Sequence, residues 1–205
     1  MDHNDSESLI DVPSDFDRIA PDRRATLDRL AREIGDTIDA LGTAHLVFVC
    51  THNSRRSQFA QIWAAYLGHR LDLPIESHSA GTEVTVVATG VLAAIADQGM
   101  SVDSDDDEPN SIVEFGSDAE GFGVRCFSKR LDDASIPQSA VIAIMVCDAA
   151  DRACPTIRGA RARTSLPFDD PKRADGTDEE ASIYRATSHR IANEMHYLLG
   201  KVATR

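Results

Sequence analysis

The chain reads as an α/β protein: a small three-layer sandwich on a four-stranded parallel sheet, with a helical extension at the N-terminus. Two continuous, mostly apolar runs, at 45–49 and 140–146, have the composition of strands covered on both faces. Around them, apolar residues recur at spacings of three and four, as in helices that bury one side. Strands that alternate with helices pair in parallel through crossovers.

Residues 1–43 are expected to form an acidic, helical extension, and residues 44–205 the main domain. Ser6 to Asp22 is acidic and broken by prolines. Leu27, Leu30, Ile34, Ile38 and Leu41 then mark an amphipathic helix, with Gly42 as its stop. The first strand covers His45 to Val49. Phe59, Ile62, Trp63, Tyr66 and Leu67 line the next helix, expected to end at Gly68. A second strand is expected over Leu73 to Ser79 and a helix over Val87 to Met100. The segment from about 103 to 125 carries Asp103-Ser104-Asp105-Asp106-Asp107-Glu108-Pro109 and reads as a solvated acidic insertion. The third strand is Ala140 to Val146 and the fourth Ala162 to Phe168. Thr177-Asp178-Glu179-Glu180 reads as a capping box opening a last helix that ends near Gly200.

With 205 residues, 42% hydrophobic and 27% charged, the chain suits one well-cored domain with an appendage. A formal charge of −13 argues against nucleic acid or an anionic membrane as partner. No apolar stretch reaches the length of a membrane span, and the first residues lack a signal-peptide pattern, so the cytoplasm is the expected compartment. Four unevenly spaced cysteines read as free or catalytic thiols, with Cys126 structural. The acid run lacks EF-hand spacing, and neither a metal site nor a cofactor is assigned.

The chemistry concentrates in Cys50-Thr51-His52-Asn53-Ser54-Arg55-Arg56-Ser57, between a buried strand and a helix. Amides of such a loop converge on a tetrahedral oxyanion, the helix start favours negative charge, and Arg56 adds a two-pronged guanidinium. The same field favours a Cys50 thiolate poised to attack what the loop holds. Thr51, His52, Asn53, Ser54, Arg55, Arg56 and Ser57 are the candidate oxyanion ligands. Ser57 is suited to support the thiolate or to cap the helix. In open α/β sheets, ligands sit beyond the carboxyl ends of the strands. Cys50, Cys147 and Asp170 each follow a strand, so the pattern brings them to one edge. Asp170, stiffened by Pro171, is the candidate general acid; Asp169 beside it is the residue with which it could be confused.

These residues resemble the low-molecular-weight protein tyrosine phosphatase superfamily. The matching pieces are Cys50 to Ser57, Ser79-Ala80-Gly81-Thr82 and Asp170-Pro171. Within it the chain looks most like the thioredoxin-coupled arsenate reductases, because Cys147-Asp148-Ala149-Ala150-Asp151-Arg152-Ala153-Cys154-Pro155 is similar to the two-cysteine segment of those enzymes. Three departures stand out. His52 replaces a usual glycine, Arg55 replaces a cysteine common in reductase-like members, and Gln61 stands where a potassium-binding Glu would be expected.

The resemblance implies reduction of arsenate to arsenite through a Cys50 adduct and a Cys50/Cys147/Cys154 disulfide relay, with thioredoxin as reductant. The alternative is a phosphatase acting on phosphoproteins or small phosphate esters through a phosphocysteine at Cys50, with Cys147 protecting that thiol. A catalytically silent anion-binding module is the remaining class. On an intact helix, Cys147 and Cys154 would lie about 10 Å apart at ~1.5 Å per residue. A disulfide requires roughly 4.4–6.8 Å between Cα atoms. The relay therefore demands that residues 147–155 unwind or loop out.

Overall fold

In the computed structural model, residues 10–104, 108–154 and 156–205 are described. The centre of the acid run, at 105–107, and Pro155 lie outside them. Helix α1 (Pro21–Leu41) leads into β1 (Ala44–Cys50), α2 (Arg56–Arg70) and β2 (Ile75–Gly81). Then come α3 (Thr89–Ala96), β3 (Ser101–Ser104), β4 (Val113–Ser117), β5 (Phe122–Cys126) and β6 (Val141–Met145). Short helix α4 (Asp148–Ala153), β7 (Ala160–Ser165) and α5 (Glu180–Ala203) complete the chain.

The main sheet has the order β2-β1-β6-β7 and every pairing is parallel. This is the expected α/β architecture, with helices flanking the sheet. Leu46, Val47, Phe48 and Val49 are wholly buried, as are Ile142 to Val146, which is why both strands read as unbroken apolar runs. Strand β2 runs two residues beyond its expected end, so Gly81 pairs with Cys50 at the edge of the sheet.

The helices differ from expectation in instructive ways. Helix α1 packs against α5 and β1 through Leu27, Leu30, Ala31 and Ile34, whereas Leu41 of the same stripe is 51% exposed. Gly42 does end this helix, in a left-handed conformation (φ 81°) that returns its N–H to the Ile38 carbonyl. Gly68 does not end α2. A Cβ there would stand 2.7 Å from the Ile75 side chain, so glycine permits close contact between α2 and β2. Helix α3 is shorter than expected, and α5 passes Gly200 to reach Ala203. The expected capping box does not form: α5 begins at Glu180 with Glu179 as its N-cap and no side-chain cap, and the Glu180 carboxylate instead accepts the Gly176 N–H of the preceding turn at 2.7 Å.

The largest departure lies between 101 and 126. A solvated insertion was expected; the described part forms a second, antiparallel sheet, β3-β4-β5. Val113, Phe115, Phe122 and Cys126 point inward and Glu114, Gly123 and Arg125 outward, so a short two-residue alternation is present beneath the acidic composition.

Candidate active site

Cys50 ends β1, 3% exposed, with its Sγ 3.1 Å from the Ser57 hydroxyl at the first turn of α2. The intervening loop is held by its carbonyls. The Thr51 carbonyl accepts from the Glu83 N–H (2.8 Å) and the Thr82 hydroxyl (3.2 Å). The His52 carbonyl accepts from the Thr85 and Ser128 hydroxyls, and the Asn53 carbonyl from Gln58 Nε2. Ser54 and Arg55 carbonyls accept the Ala88 and Phe59 N–H groups. Across a trans peptide the N–H opposes the C=O. With their carbonyls engaged by surrounding segments, the opposed amides of 52–56 are left for the loop interior, which is what an anion cradle requires.

Asn53 is the hinge of the loop. It takes a left-handed φ of 46°, which asparagine tolerates better than most residues. Its Oδ1 accepts the Lys129 N–H (2.8 Å), which orients the amide so that Nδ2 donates to Ser57 Oγ (2.8 Å). That oxygen is spent on the protein's own backbone. His52 has no positive φ, so the backbone there accepts a side chain. Its ring lies 3.6 Å from Glu83. Glycine is required at 81 instead: a Cβ there would come within 2.7 Å of the Thr51 carbonyl and 2.9 Å of the Asn53 nitrogen.

The two arginines diverge. Arg56 donates to Asp170 Oδ2 (2.6 Å) and to the Phe168 carbonyl (3.2 Å), while its buried Nε has no partner among the described residues. Asp170 thereby joins the loop, whereas Asp169 points away, toward Arg190 at 3.4 Å. Arg55 turns from the loop centre to Tyr184 Oη (2.6 Å) and Asp175 (2.7 Å), and Tyr184 donates to the same Asp175 carboxylate (2.7 Å). Burial lowers the Arg55 pKa, but Tyr184, Asp175 and Asp170 outweigh it and the net shift is upward. Burial and the bond to Asp175 push the Tyr184 hydroxyl up to about 12, against Arg55. Arg55 was expected among the anion ligands; its side chain is instead committed to positioning the loop on α5.

The register Val49↔Met145 places Cys147 beside Thr51, and Cys147 Sγ is 3.5 Å from Thr51 Oγ1. The same sulfur accepts the Ala150 N–H (3.3 Å) as the N-cap of α4. Cys154 lies at the opposite end of this helix and is half-buried. The structure thus gathers Cys50, Cys147, Arg56 and Asp170 at one sheet edge and leaves Cys154 one helix away. Cys126 is fully buried, and burial pushes its thiol up to about 12 despite Lys129 nearby.

Known proteins can now be set beside this geometry. No protein-family model matches the chain. The arsenate reductase of Halalkalibacterium halodurans is 30% identical over 152 residues, which cover 73% of this chain and 91% of that protein. The arsenate reductase of Bacillus subtilis is 29% identical over 153 residues, with the same coverage. The chain belongs to the arsenate reductase family. Among solved structures, a low-molecular-weight protein tyrosine phosphatase from T. tengcongensis covers 78% of this chain and 99% of its own, with a TM-score of 0.54 at 16% identity. An arsenate reductase in the phosphate binding state has the same coverages, with a TM-score of 0.50 at 20% identity. Those two likenesses carry the fold.

For a family member, three supports of this site escaped the sequence. Asp175 and Tyr184 lie 120 and 129 residues from Arg55 and carry no motif. Gln58 ties the loop to β2 by donating to the Asn53 carbonyl and accepting from Ser79 Oγ (3.2 Å). Its position as the third residue of the helix, just past the loop, was the only available signal. Among the described residues, no helix is long and apolar enough to cross a membrane.

Proposed function

We propose that the protein reduces arsenate to arsenite at Cys50 and passes the oxidation through Cys147 and Cys154 to a dithiol protein of the thioredoxin class. The observation that carries this reading is the placement of two thiols around one anion cradle. Cys50 lies at its floor, 3.1 Å from the Ser57 hydroxyl, and Cys147 lies 3.5 Å from the Thr51 hydroxyl at its wall. Membership in the arsenate reductase family supports the same substrate.

The oxyanion sits among the loop amides and takes the unpartnered Arg56 Nε, sharing the guanidinium with Asp170. The Cys50 thiolate, with Ser57 Oγ–H donating to it, attacks arsenic. Asp170 supplies a proton and hydroxide departs as water, leaving a thiol–arsenic(V) adduct. The Cys147 thiolate then attacks the Cys50 sulfur. The S–S bond forms as the As–S bond breaks, and its electron pair goes to arsenic, which leaves as arsenite. Cys154 next attacks Cys147 and frees the Cys50 thiolate. The Cys147–Cys154 disulfide is finally reduced by the external dithiol. This last internal exchange needs α4 to unwind, since its two cysteines cap opposite ends of an intact helix.

The test is NADPH consumption with thioredoxin and thioredoxin reductase, with and without arsenate, for wild type and Cys147→Ser. Arsenate-dependent turnover in the wild type that vanishes in the variant is the expected result. No turnover in wild type, together with aryl phosphate hydrolysis by the same preparation, would sink the reductase reading and leave phosphatase chemistry at Cys50.

A further inference from the structure

At the other end of β1 from Cys50, His45, Glu76 and His78 form a cluster that the proposed reaction does not use. His45 and Glu76 are paired neighbours on β1 and β2, and His78 follows Glu76 by two residues, so the three share one face of the strand pair. One ligand atom from each lies within 4.8 Å of the others. The Glu76 Oε2 is 3.1 Å from His45 Nδ1 and 3.8 Å from His78 Nε2. Among the described residues neither nitrogen has a hydrogen-bond partner, although both are buried. Two buried imidazole nitrogens without hydrogen bonds are costly unless something binds them.

We propose that His45 Nδ1, His78 Nε2 and the Glu76 carboxylate bind a borderline divalent transition ion of the zinc type. Two nitrogens and one carboxylate oxygen are a donor set that zinc accepts, with its fourth position open to water. Bond lengths of about 2.0–2.1 Å in a tetrahedron put neighbouring ligand atoms roughly 3.3–3.4 Å apart. The two contacts of Glu76, 3.1 and 3.8 Å, bracket that spacing. The 3.1 Å contact is short enough for a hydrogen bond yet is misaligned for one, as befits two ligands meeting at a common ion rather than at each other.

The electrostatics also suit a cation. Lys129 is a cation near His78, but its ammonium is turned to the Phe127 carbonyl (3.3 Å). A chain of charge −13 draws cations from solution. Five residues along β1, at ~3.3 Å each, separate this cluster from Cys50 by about 17 Å. The ion would cross-link edge strand β2 to β1, apart from the thiol chemistry.

Full-length reduced protein is dialysed to equilibrium against ZnCl2, and bound zinc is counted for wild type, Glu76→Gln and His78→Ala. Thiols also bind zinc, so the difference between proteins is what matters. Each variant is expected to hold one zinc fewer than wild type. A Cys50→Ser/Cys147→Ser/Cys154→Ser form is expected to keep that one zinc. Calorimetry on this triple variant, which keeps only the buried Cys126, should show affinity falling roughly tenfold or more when Glu76→Gln is added, since even outer-shell changes cost 10–100-fold. Glu76 is exposed, so its variant should fold, and circular dichroism checks both. Equal zinc content in wild type and the two variants overturns the proposal.

Discussion

The loop after β1 and the helix after β6 end at the same edge of the sheet, yet they are held in opposite ways. From Thr51 to Arg55 every carbonyl has a partner, and the side chains of Asn53, Arg55 and Arg56 are pinned by Lys129, Asp175, Tyr184 and Asp170. At about 1 kcal/mol for each hydrogen bond, the loop moves only as a unit. Helix α4 is one short turn and a half, and Arg163 is its chief clasp. That side chain donates to the Cys154 carbonyl (3.1 Å), to the Asp151 carbonyl (2.7 Å) and to the Asp151 carboxylate. The Arg163–Asp151 pair is about a quarter exposed, and such pairs are worth roughly 0–1 kcal/mol. The difference separates two requirements of the proposed reaction. A cradle must be rigid before the anion arrives, whereas a disulfide relay must let its second cysteine travel.

The largest effect that would break this contrast belongs to Cys154. With Cys154→Ser the cradle and Cys147 remain, so one arsenate is reduced per protein and the reaction then stops at a Cys50–Cys147 disulfide. Arsenite released in a rapid burst, equal to the enzyme present and followed by no steady state, is the expected trace. Peptide mapping of the product should find the linkage. Sustained turnover in this variant would mean that α4 has no need to move and that an external thiol reads Cys147 directly.

The same contrast explains what the sequence made legible. Cys50, Cys147 and Asp170 could be placed together because each follows a strand of the main sheet, and parallel strands deliver their ends to one edge. Arg56 follows from the spacing of the loop. The role of Arg55 did not, because a sequence shows two adjacent arginines and not the direction in which each turns. Asp175 and Tyr184, which decide it, are distant and motif-free. The β3-β4-β5 sheet was hidden by strands of only four or five residues beside an acid run, where composition outweighed the Val113-x-Phe115 and Phe122-x-Val124 alternation. His45, Glu76 and His78 were equally silent, since cross-strand register is what unites them.

A smaller effect tests the cradle itself. Arg56→Lys keeps the charge but replaces a planar fork with a single point donor, and it loses the buried Nε that has no partner in the free protein. Removing one preorganised donor from an oxyanion site typically costs 10²–10³ in rate. The expected result is a fall of about that size in kcat/KM for arsenate, with little change in the melting temperature. A loss below about tenfold would show that the loop amides alone suffice to hold the anion.

The smallest effect concerns the fastening of Arg55, and it is read as stability rather than rate. Tyr184→Phe removes the hydroxyl that accepts from Arg55 Nε and donates to Asp175, at a cost of about 1 kcal/mol for a bond of this kind. In the folded protein this hydroxyl titrates at about 12, above its ordinary value of 10.0. The folded state therefore holds the Tyr184 proton more tightly than the unfolded chain does. Its contribution is fully present below pH 10 and is lost as the pH rises through about 12. Urea unfolding at a series of alkaline pH values should show wild type losing more stability across that window than Tyr184→Phe, with the two curves converging at its upper end. Parallel curves would mean that Arg55 holds the loop through Asp175 alone, and the cradle would then be fastened to α5 by charge without help from the phenol.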